Sequence, residues 1–309
     1  MRQYVIQRLL GLVPLLFGIS LLAFFLINIT PSDPAEVALR VNEITPTAEA
    51  VASMRQELGL DKPIVERYTD WLGGALQGEF GKSYVNKKPV LDELLRALPA
   101  TLALAGVSLL LMVVLSVGLG VWCAMHEGSA GDVVSRGFVF VSTAMPSFWL
   151  GLLLMWFFSV HLDLFPTSGM DGVSSVVLPA VTLSLSYIAT YVRLIRNNMI
   201  ENKQENYVQY ARARGLKKST LVKHILKNSL QGSLTALGMS IPKLIAGTVI
   251  VENIFAWPGV GRLCVTAIFN RDYPIIQAYV VMMAVLFVLC NLLVDVASAW
   301  LDPRLRKEC

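Results

Sequence analysis

The chain has 309 residues, of which 55% are apolar even before its 22 glycines are counted, only 16% are charged, and the net charge is +4; mean hydropathy is +0.59. Soluble domains carry about 25% charged residues and about 45–50% apolar ones with glycine included. This composition excludes a disordered chain, a nucleic-acid-binding domain and an ordinary soluble enzyme, and it points to a polytopic membrane protein.

A membrane-spanning helix needs about 20 predominantly apolar residues, and six segments qualify: 9–29, 99–124, 138–160, 176–195, 234–251 and 278–300. Backbone groups in lipid must bond within their own segment, so these are expected to be helices. They lack the ten-residue alternation of a membrane barrel. The fold class is therefore all-α. The first segment exceeds the apolar core of a signal peptide, and Ile29-Thr30-Pro31-Ser32 is no small-x-small cleavage site, so it is expected to be a retained anchor.

Segment 30–98 holds eleven acidic and eight basic residues, too polar for a membrane interior. Two helices are expected in it. One covers 46–58, with Val51, Met54 and Leu58 on one face and Gly59 as its stop. The next begins near Asp61-Lys62-Pro63 and repeats Ile64, Tyr68, Trp71, Leu72 and Ala75 at helical spacing. Pro99 then opens the second span, where its missing N–H is harmless. Pro146 is expected to bend the third. The implied organisation is 1–98 as first span and outer segment, 99–300 as membrane core, and 301–309 as tail.

Lys and Arg are unevenly placed. Arg2, Arg8, Arg136, nine residues of the loop after the fourth span, Arg304, Arg306 and Lys307 make fifteen on one side. The short loops of the other side, 161–177 and 252–277, hold only Arg262 and Arg271. The positive-inside rule places both termini in the cytoplasm and 30–98 outside.

Several polar residues fall in or near spans. Lys243 is mid-segment in the fifth and reads as snorkelling or as lining a pathway. Asp295, with Asn291 one turn away, reads as a structural pair near the end of the sixth. Thr182, Ser186, Thr190 and Arg193 share one helix face, which either lines a wet path or bonds neighbouring helices. The cysteines (Cys123, Cys264, Cys290, Cys309) and histidines (His126, His161, His224) have no metal-type spacing, and no metal site is expected. There is no nucleophile–base set and no Gly-x-x-x-x-Gly-Lys-Ser/Thr loop, so any ATP must be bound by another chain. A stand-alone secondary transporter would show repeated halves or paired broken helices, and neither is visible.

The cytoplasmic stretch 205–228 is expected to be a helix, a glycine break at Gly215 and a second short helix. On charge alone it is a solvated loop. Its small residues Ala211 and Ala213 also suit close approach by a partner. The stretch resembles the "EAA" loop of permease subunits of ATP-binding-cassette importers, matching at Ala211, Gly215 and Ile225. It departs at Gln209, where the family has Glu, and at Tyr210, and it lacks the proline that often follows the Ile. Those departures are similar to the peptide and nickel branch, through Tyr207, Ala211, Arg212, Ala213, Gly215 and Leu216, then His224, Leu226, Lys227 and Asn228. The resemblance runs the length of the chain: Arg8-Leu9, Gly59-Leu60-Asp61-Lys62-Pro63, Phe80-Gly81-Lys82-Ser83-Tyr84, Pro99-Ala100-Thr101-Leu102, the run 252–261 (Glu-Asn-Ile-Phe-Ala-Trp-Pro-Gly-Val-Gly) and Asp302-Pro303-Arg304.

The resemblance implies a type I importer permease fold with six transmembrane helices in a bacterial inner membrane, and a small outer helical segment after the first. It implies a second, usually different, permease subunit, two cytoplasmic ATPase subunits that hold ATP and Mg²⁺, and an external solute-binding protein. No cofactor is expected on this chain. Tyr207, Gln209, Ala211, Arg212, Ala213, Gly215 and Leu216 form the implied ATPase-coupling loop, with Ala211 expected against the ATPase. Thr182, Ser186, Thr190, Lys243, Glu252, Trp257, Pro258 and Gly259 are the candidate pathway or gate residues. By physics alone Trp257 and its neighbours are equally an interface anchor and turn. The 252–261 and 269–274 runs look closest to nickel or metal-chelate permeases, with di- or oligopeptide import as the alternative.

Overall fold

The computed structural model of the protein describes residues 2–29 and 33–301. The 30–32 junction and residues 302–309, with Asp302-Pro303-Arg304, Arg306, Lys307 and Cys309, lie outside the described residues. Helices α1 (Arg2–Ile29), α2 (Pro34–Val41), α3 (Ala48–Glu57), α4 (Ile64–Leu76), α5 (Val90–Met125) and α6 (Ala130–Ala144) come first. They are followed by α7 (Ser147–Leu154), α8 (Val177–Lys203), α9 (Asn206–Ala213), α10 (Lys218–Ile254), α11 (Val260–Phe269) and α12 (Tyr273–Leu301). Among the described residues five helices are long and apolar enough to span, and the bent pair Ala130–Ala144 with Ser147–His161, taken as one span, makes a sixth.

The chain divides into two compact units. One is Arg2–Thr101 with Pro258–Leu289, and the other is Leu102–Trp257 with the chain from Cys290 onward. This division does not follow a cut at residue 98, because the 258–289 segment groups with the first hundred residues.

The first unit contains the segment between the first two spans, which among its described residues has three helices rather than the expected two. The additional one, α2, starts at Asp33, whose carboxylate accepts from the Ala35 amide at 3.0 Å, with Pro34 in its first turn. Those start signals are readable, but eight residues are too few for a periodic pattern. Helices α3 and α4 follow expectation, with Thr47 as N-cap, Gly59 at φ +65° and Pro63 preceding Ile64. Tyr68 of α4 is buried between the rings of Phe17 and Phe24, and its hydroxyl shares a 2.8 Å bond with Ser20 of α1. Helix α5 corrects the expected start at Pro99: it begins at Val90 and carries Pro99 inside it. Val90 and Leu94 are buried with Ala267, Ile275 and Ala278. That packing makes the added turns favourable despite the amide the proline lacks. At 36 residues α5 is about 54 Å long, well beyond a bilayer core.

In the second unit Pro146 does more than bend a helix. The two halves meet at 110°. Met145 is extended (φ −87°, ψ 133°), as a residue before proline prefers, and Pro146 sits at the N-cap of α7. A π-helical stretch, Met155–His161, completes this span. The expected short helix after Gly215 and the fifth span are one helix, α10, 37 residues long. The polar stretch around Ser229 and Ser233 reads as a loop, yet both hydroxyls fold back onto carbonyls one turn earlier (Ile225 at 2.8 Å, Ser229 at 3.2 Å) and the helix continues.

Helices α8 and α10 are clipped by polar side chains. Tyr191 donates to the Ala236 carbonyl at 2.6 Å and is bonded to Ser240, while Asn198 donates to Ser233 at 3.1 Å. Helices α5 and α8 approach closely at Gly120, where an added Cβ would lie 2.9 Å from Ile195. Asp132, completely buried in the first turn of α6, takes a bidentate pair from Arg196 of α8 at 2.7 and 2.8 Å. Asp132 also accepts from the Gly128 amide at 3.1 Å. Removing one partner of such a pair costs about 3–5 kcal/mol, because the other is left buried and charged. Asp132→Ala is therefore expected to lower the thermal unfolding midpoint of the detergent-solubilised chain markedly. Arg136→Ala, which removes a 3.7 Å contact from an exposed side chain, is expected to change little. Equal midpoints for Asp132→Ala and wild type would show that the pair does not hold α6 to α8.

Candidate functional site: the α8–α9–α10 joint

Helix α8 ends at Lys203, and α9 begins at Asn206 after two intervening residues. Its eight residues bury one side chain completely, Val208, which joins Ala124 of α5, Ile195 and Met199 of α8, and Leu221 and Ile225 of α10. Ala211 is half-buried against the same cluster. The i, i+3 spacing of Val208 and Ala211 gives α9 an inner face. Tyr207, Gln209, Tyr210, Arg212 and Ala213 are exposed. Ala211, expected to meet a partner, is half-buried against its own chain in this structure. The outward surface is instead aromatic and basic, with Tyr210 67% exposed and the Arg214 guanidinium 5.8 Å from its ring centre.

The end of α9 is closed by a Schellman motif. The Gly215 amide donates to the Arg212 carbonyl at 2.9 Å and the Leu216 amide to the Ala211 carbonyl at 3.2 Å, with Gly215 at φ +74°. Gly215 is thus the turn residue expected of it. Behind α9, Lys203 donates to the Ala124 carbonyl at the end of α5 at 2.6 Å and lies 3.6 Å from Glu127. In the sequence Lys203 and Arg196 stand among the nine basic residues after the fourth span, with nothing to single them out. The available signal for Asp132 was Ser129-Ala130-Gly131-Asp132, a capping-box spacing: the Ser129 hydroxyl accepts from the Asp132 amide at 3.3 Å.

The candidate pathway residues differ in exposure. On α8, Thr182 is fully buried, Ser186 half-buried, and Thr190 and Arg193 exposed. Thr182 and Thr190 donate to carbonyls of their own helix, Leu178 at 2.7 Å and Ser186 at 3.2 Å. Bonding to the neighbouring helix is done by Tyr191 and Asn198 instead. Thr182 is a packing position, because its methyl lies against Gly151 of α7, beside Ile254 and Phe255. Lys243 is exposed on α10, and Asp295 is half-buried on α12.

The run beginning at Glu252 is a second helix stop. Glu252 is fully buried and Trp257 only 2% exposed, so Trp257 is a packed residue and not a lipid-facing anchor. The Trp257 amide donates to the Glu252 carbonyl at 2.9 Å, with Ala256 at φ +49°. Pro258 is exposed, and Gly259 is buried as the N-cap of α11. The Val260 amide donates to the Thr101 hydroxyl at 2.9 Å. The run 269–274 is a third stop: Arg271 stands at φ +54° and the Asp272 amide donates to the Ala267 carbonyl at 2.8 Å.

Comparison with known proteins places this architecture. Residues 116–307 match the family model "Binding-protein-dependent transport system inner membrane component", and residues 1–105 match the companion model of its N-terminal part. The chain belongs to this family. It is the permease of an ATP-binding-cassette importer, a transport component and not an enzyme, with the peptide and nickel type of permease as its kin. It is 38% identical over 99% of both chains to the metal-staphylopine import system permease protein CntB of Staphylococcus aureus (strain NCTC 8325 / PS 47). It is 36% identical, again over 99% of both, to the glutathione transport system permease protein GsiC of Escherichia coli (strain K12). A solved structure of the MetNI methionine ABC transporter shares the fold at a TM-score of 0.57 and 18% identity, covering 68% of this chain and 96% of that one.

The three stops differ in what they cost. An added Cβ at Gly215 meets nothing within 4 Å, so a substitution there carries only the left-handed backbone penalty, about 1–2 kcal/mol. Gly215→Val is expected to destabilise by that amount. Ala256→Gly is expected to be neutral or stabilising, because alanine already carries the penalty there. Unfolding midpoints of the two purified variants check the opposite signs, and a shift in the same direction for both would contradict the assignment.

Proposed function

We propose that the exposed face of α9 is the surface on which a cytoplasmic ATPase subunit docks, and that the chain works with two such subunits, a second and different permease subunit and an external solute-binding protein. ATP and Mg²⁺ are held by the ATPase subunits. The observation that carries this reading is the build of α9: a short helix fixed from within by Val208 and Ala211 presents Tyr207, Tyr210, Arg212 and Ala213 outward. A merely solvated loop needs neither the buried anchor nor the glycine-closed end. Both termini and α9 are cytoplasmic in this reading, as the fifteen-to-two bias in Lys and Arg argues. When the ATPase dimer closes, α9 passes the motion to α5, α8 and α10, whose side chains make up the cluster beneath it.

The cargo is a metal chelate in this reading, with a di- or oligopeptide as the alternative. The 252–261 and 269–274 runs and the metal-staphylopine name of one relative support the first, and the glutathione name of another supports the second. The solute held by the partner binding protein decides between them.

Ala213→Trp and Tyr210→Ala are expected to leave membrane levels normal while uptake falls at least tenfold and ATPase subunits no longer co-purify. Ala211→Trp is expected to act differently, lowering the amount of folded chain because it disrupts the cluster under α9. Wild-type uptake in both Ala213→Trp and Tyr210→Ala would return the segment to a solvated loop. Orientation is tested separately, in a chain lacking its native cysteines. An impermeant thiol reagent applied to intact cells is expected to label Asp70→Cys and to spare Lys217→Cys, and the reverse pattern would overturn the topology.

A further inference from the structure

The first unit holds a cavity of about 450 Å³ that takes no part in the α8–α9–α10 joint. This is within the usual range for small-molecule sites, about 300–1,000 Å³. Its wall includes the end of α1 (Phe24, Asn28), α4 (Arg67, Trp71) and the start of α12 (Tyr273, Gln277). Among the described residues, three buried polar atoms have no hydrogen-bond partner: the Trp71 indole nitrogen, the Tyr273 hydroxyl and the Gln277 amide nitrogen. All three belong to residues of this wall. Tyr273 and Gln277 are only 8% and 7% exposed. Buried polar groups are normally satisfied, so three unmet donors around one cavity point to an occupant rich in acceptors.

Charge points the same way. Arg67 is half-buried, and burial lowers its guanidinium from its usual value. It donates to the neutral Asn28 oxygen at 2.5 Å and stands 5.9 Å from the Phe24 ring centre, and no carboxylate pairs with it among the described residues. The other lining cations are Lys62 and Lys82, and the carboxylates are Asp70 and Glu79. Asp70 is bound to Lys62 at 2.5 Å. Asp272 is not part of the wall, since it bonds Ser83 and accepts from the Tyr84 amide at 3.0 Å. Burial, with Asp272 nearby, pushes the Tyr84 hydroxyl up to about 12, so this wall residue stays neutral.

We propose that this cavity binds the phosphate diester headgroup of a membrane phospholipid. Phosphate oxygens offer acceptors to the Trp71 indole, the Tyr273 hydroxyl and the Gln277 amide, which turn toward the cavity to reach them, and give Arg67 an anionic partner. The lipid source follows from position. The wall is built from the ends of two spanning helices, α1 and α12, with Trp71, Tyr84 and Tyr273 around it. Helix ends and Trp/Tyr side chains occupy the headgroup layer of a bilayer.

The test uses the full chain, purified with its importer partners in mild detergent and stripped of lipid. Unfolding midpoints are measured with added dioleoyl-phosphatidylglycerol, with dioleoylglycerol, which has the same tails without phosphate, and with sn-glycerol 3-phosphate. Phosphatidylglycerol is expected to give a saturable rise that the other two do not. Gln277→Leu and Tyr273→Phe remove atoms that have no partner in the unliganded chain, so both are expected to fold normally. Each is expected to weaken the phosphatidylglycerol response about tenfold, the value of one hydrogen bond to a charged group. Arg67→Gln is expected to weaken it further. An equal rise with dioleoylglycerol would overturn the phosphate contact. An equal rise with glycerol 3-phosphate would overturn the lipid source. A wild-type response in Gln277→Leu and Tyr273→Phe would overturn the site itself.

Discussion

A helix in lipid satisfies its own backbone along its length, so the demanding places in this chain are where helices stop. Three stops use one device. At Gly215, Ala256 and Arg271 a residue in the left-handed region turns the chain, and the next amide returns to a carbonyl of the last helical turn. The stops each end one helix shortly before the next begins, at α10, α11 and α12. They also lie inside the runs by which the sequence resembles peptide and nickel permeases. Those runs therefore have a structural role in ending helices, apart from anything their side chains do for cargo.

The joint around α9 combines two kinds of bond. Apolar packing of Val208 and Ala211 seats the helix on side chains from α5, α8 and α10. Around that seat, charged groups tie the supporting helices: Arg196 to Asp132 of α6, and Lys203 to the final carbonyls of α5. The apolar seat favours transmission of a displacement, because close-packed side chains yield little. The ion pair fixes the geometry of α6 against α8, since a buried carboxylate without its partner is so costly. In the proposed docking, a push on Tyr210 or Ala213 reaches three helices through a seat only one residue deep.

Much of this was legible in the residues. Hydropathy located all six spans, because lipid solvation acts on about 20 residues at once and averages out local detail. Local chemistry located the Gly59 and Gly215 turns and the start of α4 at Pro63, since a cap or a positive φ involves only a few neighbouring residues. The helix and glycine turn over 206–215 were legible for the same reason. That Ala211 lies half-buried against its own chain was not legible, because spacing reveals that a helix has two faces but not which one meets its own core.

What the sequence determined by itself was thus the number of spans, their helical character, the charge asymmetry across them and the local turns. Only tertiary structure decided the rest. Pro99 ended up inside a helix because Val90 and Leu94 found partners at Ala267 and Ile275, far along the chain. Ser229, inside the continuous helix α10, also donates to the Asn198 carbonyl of α8 at 3.2 Å, a contact that no local window contains. Arg196 turned from one basic charge among many into the partner of a buried carboxylate 64 residues away. The cavity with its three unmet donors joins α1, α4 and α12, which lie far apart in sequence. Hydropathy and capping act over neighbouring residues, whereas burial, ion pairing and cavity shape depend on which distant segments share a core, and that is settled only when the whole chain packs.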